Sequence, residues 1–412
     1  MSKPKVTERI DGYNVIWEAE DRNIHVTHLR QHSSDGRVTG EITILDTKGN
    51  IIYPQSSVTF TADRTRDGLA KKLNDRDSRE GRDWGDMINQ LTLIVIKKAR
   101  EGKPIEELWT NEDAPDLEFL LEPLIVKGVP NVIFGDEGST KSATSLICYT
   151  CLTLPWVDNP LGFTAPNRSI KTLILDYELP SSIAHRNIKE IQVGMGLPHF
   201  PLFHRECKAP LFTEVEQIAN LMAEQRTECI IIDSQARASG GELNKTEPAN
   251  AFYEALDKLE TTSLIIAQNS KDKESKKKTI YGNALYGYFA RNIWEICRSE
   301  SFNDSEVDVA LFHRKSNLTK RYKEMSFRWS FNGHKTKIER QPVDVAEFLS
   351  KVSLKTAILG ELKSGRLTVK DLADGMGGNQ GSVKTTLNRL RQQGLVVKLD
   401  DTSWGLSTKA RA

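Results

Sequence analysis

Eight consecutive residues, Gly135-Asp136-Glu137-Gly138-Ser139-Thr140-Lys141-Ser142, carry the side-chain types needed to hold a phosphate group. Glycines let backbone N–H groups turn toward an anion, a lysine brings a reachable positive charge, and a serine hydroxyl is a ligand for a divalent cation. The run "NVIF" before the loop reads as a buried strand and "SATSLICYTCLTL" after it as a helix, whose positive end would face the anion. Thr140 stands where the usual pattern has glycine, and a threonine fits there if its backbone stays helical. Gly135 through Ala143 is therefore the candidate binding segment, with Lys141 for the outer phosphates and Ser142 for the metal.

Three more strand ends add chemistry. "LILDYE" places Glu178 where a carboxylate can polarise an attacking water. "CIIIDS" ends its apolar run in Asp233, an acid placed to serve a magnesium ion beside Ser142. "SLIIAQ" ends in Gln268, a neutral group that can donate to a phosphate and accept from a neighbouring loop. Sites in open parallel sheets lie at such carboxyl ends. ATP and Mg2+ are the implied ligands.

The elements that must position these groups follow from patterning. Between about 125 and 300, short unalternating Ile/Val/Leu runs alternate with helical segments, which implies a parallel sheet covered by helices on both faces. "VDVALFHRKSN" and "KEMSFRWSFNG" alternate again and read as antiparallel strands finishing the sheet. The first part of the chain alternates with period two between the turns "SSDGR" and "TKGN", as in a small antiparallel sheet, and a helix follows it with Asp83 as N-cap and Gly102 as stop. The expected organisation is an α+β accessory domain over 1–115, the P-loop domain over 116–342 and a third unit over 343–412.

Composition narrows the class. A chain of 412 residues with 38% hydrophobic and 27% charged residues and net charge +1 is that of a multidomain globular protein. No apolar leader and no run of about 18 apolar residues occurs, so no membrane span is expected, and five scattered cysteines point to a reducing, cytoplasmic setting. Cys148 and Cys151 have no second ligand pair nearby and read as core residues on one helix face; His25, His28 and His32 read as ordinary histidines rather than metal ligands.

The order of phosphate loop, strand ending in Glu, strand ending in Asp and strand ending in Gln resembles the RecA-like ATPase core, in particular the RepA-type branch of hexameric replicative helicases. The resemblance covers about residues 120–320. It implies that Glu178 is the catalytic base and Gln268 the γ-phosphate sensor. "YGNALYGYFARNIWEI" is similar to the family segment that ends in an arginine finger, so the resemblance assigns that role to Arg291, reaching a neighbouring subunit's nucleotide, and makes Gly282 a loop-closing glycine. A head-to-tail ring, hexameric in the family, follows from such a shared site.

The same resemblance places the loops after Asp233 and Gln268 on a central channel that grips single-stranded DNA. The second holds Lys271, Lys273, Lys276, Lys277 and Lys278, which either track phosphates or form a solvated lysine-rich loop. The last segment resembles a winged helix-turn-helix, with Leu372, Ala373, Met376, Val383, Leu387 and Leu390 at core spacing. Residues 351–412 hold eleven Lys/Arg against five Asp/Glu, and Lys384 and Arg389, with Gln380, Ser382, Thr385 and Arg391, lie on the helix that would enter duplex DNA; protein docking is the alternative use of such a module. Two functions stand side by side: an ATP-driven DNA helicase of plasmid or phage type, and a nucleotide-gated DNA-binding regulator or loader. A recombinase-like filament would use the same core.

Overall fold

The computed structural model describes residues 3–31, 35–77, 83–102, 105–107, 116–270, 279–300, 305–341, 354–355, 357–363, 365–376 and 379–408. The chain begins with a meander of five antiparallel strands in sequential order, β1 (Lys5–Arg9), β2 (Gly12–Trp17), β3 (Arg22–Gln31), β4 (Val38–Leu45) and β5 (Ile51–Thr59). Period-two alternation buries Val38, Ile42 and Ile44 of β4 against two helices, α1 (Asp63–Arg76) and α2 (Trp84–Arg100). Asp83 caps α2 by accepting from the amides of Gly85 and Asp86. Helix α1 was not legible in the sequence: only Leu69, Ala70 and Leu73 are buried in an otherwise charged segment.

A short hairpin, β6 (Phe119–Leu121) and β7 (Ile125–Val126), leads into the central sheet. Its strands are β8 (Pro130–Gly135), β9 (Thr172–Asp176), β10 (His204–Glu206), β11 (Cys229–Asp233), β12 (Thr262–Gln268), β13 (Asn292–Glu300), β14 (Glu306–Ser316), β15 (Met325–Asn332) and β16 (Lys335–Arg340). Their order is β10-β9-β11-β12-β8-β13-β14-β15-β16; the first six are parallel and the last three antiparallel, as the change of patterning implies. Helices α3 (Lys141–Thr153) and α4 (Ser181–Met195) cover one face and α5 (Val215–Gln225) and α7 (Thr246–Leu259) the other; α6 (Gln235–Ser239) and α8 (Leu285–Phe289) are short.

Two-sided burial explains the unalternating runs. Ile231 and Ile133 point into the core beneath α3, whereas Ile230, Ile232, Val132 and Phe134 point into the core beneath α5 and α7. Cys148 and Cys151 are both fully buried in the α3 core, and burial pushes the Cys151 thiol up to about 12. Across the boundary with the first domain, Asp11 is buried between His28 and Lys258 of α7, Arg9 pairs with Glu216 of α5, and the Arg30 guanidinium lies 4.1 Å from the centre of the Phe212 ring.

At the base of the sheet, Asn131 and Asn292 are partners across β8 and β13. The Asn131 amide donates to three carbonyls, of Val126, Val129 and Ser263, and its oxygen accepts from Asn292 at 3.0 Å. His313 on β14 completes the group: Nε2 lies 2.8 Å from the Asn292 oxygen, Nδ1 accepts from the Tyr322 amide, and the ring stacks on Trp294 at 4.4 Å. Burial holds the His313 imidazole below its ordinary pKa.

The last unit contains helical turns at 354–355 and 357–361, strand β17 (Leu367–Thr368), α9 (Val369–Met376), α10 (Gln380–Gln392) and the strands β18 (Val396–Lys398) and β19 (Ser403–Leu406). The three strands pair in the order β17-β19-β18, so the β18–β19 hairpin carries β17 on its outer side. Leu372, Ala373, Val383, Leu387 and Leu390 are all buried with Trp404, and the Met376 side chain lies outside the described residues. Among the described residues, no helix is long and apolar enough to cross a membrane and no group of three metal-ligating side chains forms.

Candidate functional site

The phosphate loop is shaped by contacts that leave little freedom in its sequence. A side chain at Gly135 would place its Cβ 2.4 Å from the Ile296 carbonyl oxygen of β13, so only glycine leaves the strand there. Gly138 follows with φ +72°, and the buried Ser139 hydroxyl donates to the Asp136 carbonyl at 2.7 Å to close the turn. Lys141 sits in the curve, its ammonium donating to the carbonyls of Gly135 at 3.0 Å and Asp136 at 2.5 Å. Burial lowers its pKa, while Asp233, Asp136, Glu178 and Glu137 oppose that shift. Glu137 is exposed, and Ala143 packs against the α3 core.

Thr140 corrects the expectation of a right-handed helical backbone: it has φ 62° and ψ 22°, the left-handed region. For a β-branched residue this costs about 1–2 kcal/mol. Its carbonyl still opens α3 by accepting from the Thr144 amide at 2.8 Å, but its buried hydroxyl has no hydrogen-bond partner.

The neighbouring strands deliver the acids. Asp233 is 5% exposed and accepts from the Ser142 hydroxyl; burial, with Asp176 and Glu178 nearby, pushes its carboxyl up to about 7. Asp176 faces Asp233 across β9 and β11. One Asp176 oxygen accepts from the amides of Glu178 at 2.8 Å and Leu179 at 2.7 Å, and the other lies 3.1 Å from Nε2 of the buried His204. This Asx turn throws the exposed Glu178 side chain over the sheet edge, where its carboxylate accepts from the Ser234 hydroxyl.

On the other flank, Gln268 is the strand partner of Gly135, and its side chain is exposed. The next residue, Asn269, ties the strands together: its amide side chain donates to Asp136 at 3.0 Å and its backbone N–H to the Gly135 carbonyl at 3.2 Å. From β13, Arg298 donates to the Gly138 carbonyl at 2.8 Å.

Lys141, Ser142, Glu178, Asp233 and Gln268 are thus brought to one sheet edge, and Arg291 is not. It is exposed at the opposite edge, where its N–H donates to the Pro130 carbonyl, some five residues or about 16 Å of strand away from Gly135. Lys271, Lys273, Lys276, Lys277 and Lys278 lie outside the described residues, as does His32. The segment after Asp233 is less open than expected, because Ser234 is followed at once by the five residues of α6. Gly282, at φ +105°, brings the 279–284 segment against Leu243, and the Asn283 amide donates to the Leu243 carbonyl at 2.8 Å.

In the last unit a groove of about 710 Å³ runs between α10 and the β18–β19 hairpin, with Lys370, Lys384, Arg391 and Lys398 on its walls. Lys384 belongs to it. Arg389 does not: it is half-buried on another side of α10.

Sequence reasoning missed Asp176, Ser234, Asn269 and Arg298. Asp176 had a signal, since it ends an apolar run as Asp233 does. Arg298 had none, because its reach depends on β13 pairing with β8 across more than 150 residues.

The donor set fits a nucleoside triphosphate with a divalent cation: a loop at a helix N-terminus, a lysine held only by loop groups, and a hydroxyl bonded to an acid that burial disfavours when charged. No curated protein matches the chain. Residues 100–274 match the model of a protein family described as an AAA domain; this span, which holds the phosphate loop, Glu178, Asp233 and Gln268 and ends before Arg291, is similar to the P-loop ATPases of that type.

Proposed function

We propose that this chain is an ATP-hydrolysing motor on DNA, a replicative helicase of plasmid or phage type that assembles head-to-tail with active sites shared between subunits, a hexamer by its resemblance to the RepA-type group. The observation that carries the hydrolytic part is Glu178, held by Asp176 and Ser234 beside the Ser142–Asp233 pair and Lys141. ATP and magnesium would supply the transferable phosphoryl group and the charge that neutralises it. The chain's residues do the positioning. Backbone N–H groups of 138–142 hold the anion, Lys141 turns from the loop carbonyls toward the outer phosphates, and Ser142 presents its hydroxyl to the metal with Asp233 behind it. Glu178 takes a proton from the attacking water. Gln268, next to Gly135, reports the state of the outer phosphate to the segment that follows it.

Arg291 is too far from its own phosphate loop to serve it, which supports a role in a neighbour's site. Charge supports the DNA partner: the lysines of 271–278 for single strands, and the Lys370, Lys384, Arg391 and Lys398 groove of a winged-helix module for duplex.

Thr140 and that basic groove favour a second reading, a nucleotide-gated DNA-binding regulator without unwinding. ATP hydrolysis by the full chain with magnesium, with and without single-stranded DNA over a salt series, separates the two. The motor requires turnover that DNA stimulates and salt suppresses; tight binding of ATP without turnover under any condition would replace it by the regulator.

A further inference from the structure

We infer that Arg298 is a nucleoside-binding residue acting within its own subunit, its guanidinium covering the base or ribose of the ligand whose phosphates the loop holds. The inference rests on the nucleotide reading of the loop.

Three observations place it. First, β13 runs parallel to β8 with Ile296 opposite Gly135 and continues in pairing with β14, so Arg298, opposite Val309, lies two residues past the end of β8, beside the loop and on the same side of its strand as Ile296. Second, its Nη1 donates to the Gly138 carbonyl at 2.8 Å, and a Cβ at Gly138 would sit 3.7 Å from that nitrogen. The cradle uses inward N–H groups, whereas Arg298 grips a carbonyl; Lys141 occupies the other wall with the carbonyls of Gly135 and Asp136. Third, the Arg298 side chain is exposed and has no other hydrogen-bond or ion-pair partner among the described residues.

A planar cation tethered by one N–H to a loop, with its faces open, is suited to stack on an aromatic ring. The phosphates fill the inside of the loop, so the part of the ligand available to its rim is the nucleoside. Every base has a π-face, so the contact favours nucleotides over bare polyphosphate without choosing among bases.

Calorimetric binding of magnesium-ADP and magnesium-pyrophosphate to the full-length wild type, Arg298→Ala and Arg298→Lys tests this. Arg298→Ala should weaken ADP by roughly threefold to thirtyfold, the range of a stacked cation, and leave pyrophosphate unchanged. Arg298→Lys keeps the charge and can keep the tether to Gly138, and should hold pyrophosphate as the wild type does while binding ADP more weakly. Equal weakening of both ligands would make Arg298 a loop tether or phosphate contact, and unchanged ADP binding in either variant would remove the stacking role. Wild-type protein that binds neither ligand would instead overturn the nucleotide reading itself.

Discussion

Asp176 and the backbone of Glu178 form one unit: the same carboxylate oxygen accepts from the amides of Glu178 and Leu179, two and three residues on. The catalytic candidate is therefore aimed by an acid that never needs to touch the substrate. Asp176→Ala should lower kcat by about tenfold to a hundredfold, the scale of a misplacement near 1 Å, with little change in KM. Steady-state kinetics decides it, and a rise in KM alone would detach Asp176 from Glu178.

Thr140 holds a left-handed backbone and a buried, unpartnered hydroxyl. Thr140→Gly removes both costs and should stabilise the chain by about 1 kcal/mol, since glycine's own entropy offsets part of the relief. Thermal unfolding measures this. ATP affinity should hold or improve; a fall in affinity would give the hydroxyl a ligand contact.

Asp233 is the buried acid whose carboxyl stands near 7 instead of its usual 3.8. The folded chain binds this proton more tightly than the unfolded chain, so the group's contribution to stability falls as pH rises from about 4 to 7. Asp233→Asn should therefore raise the melting temperature of metal-free protein at pH 8 while abolishing magnesium-dependent turnover. Unchanged turnover would exclude Asp233 from the metal site.

His313 gives the opposite slope. Burial lowers its folded pKa below 6.5, so the unfolded chain takes up the proton first and stability falls as pH drops below about 6.5 toward the folded value. Denaturant titrations at pH 5 and 7 should show that loss in the wild type and a smaller one in His313→Gln, which can keep a neutral polar group in the network. An equal pH dependence in the two proteins would place the titration elsewhere.

Arg291 and Lys141 stand at opposite edges of one sheet. Subunits carrying Arg291→Ala mixed with subunits carrying Lys141→Ala should recover part of the hydrolysis that each lacks alone, because a mixed interface can hold one intact site. No recovery at any ratio would confine each site to a single chain.

The legible parts of this protein were those written in local patterning. Ile230, Ile231 and Ile232 are consecutive and all buried, as a short strand covered on both faces requires, and an acid follows that run at the strand's carboxyl end. Helix α1 was hidden because three apolar residues suffice to dock it. Asn269 and Arg298 were hidden for another reason: their partners are set by strand pairing between distant segments, which no local window contains.

Asn131, Asn292 and His313 lock β8 and β13 at one buried level. From that level it is four residues of paired strand up to Gly135 and one residue down to Arg291, whose N–H donates to the Pro130 carbonyl. A slip of one residue would turn every side chain of β13 to the wrong face. The span between the loop and the arginine is consequently a rigid strut, and under the proposed motor reading a nucleotide-driven stroke would be taken up outside it.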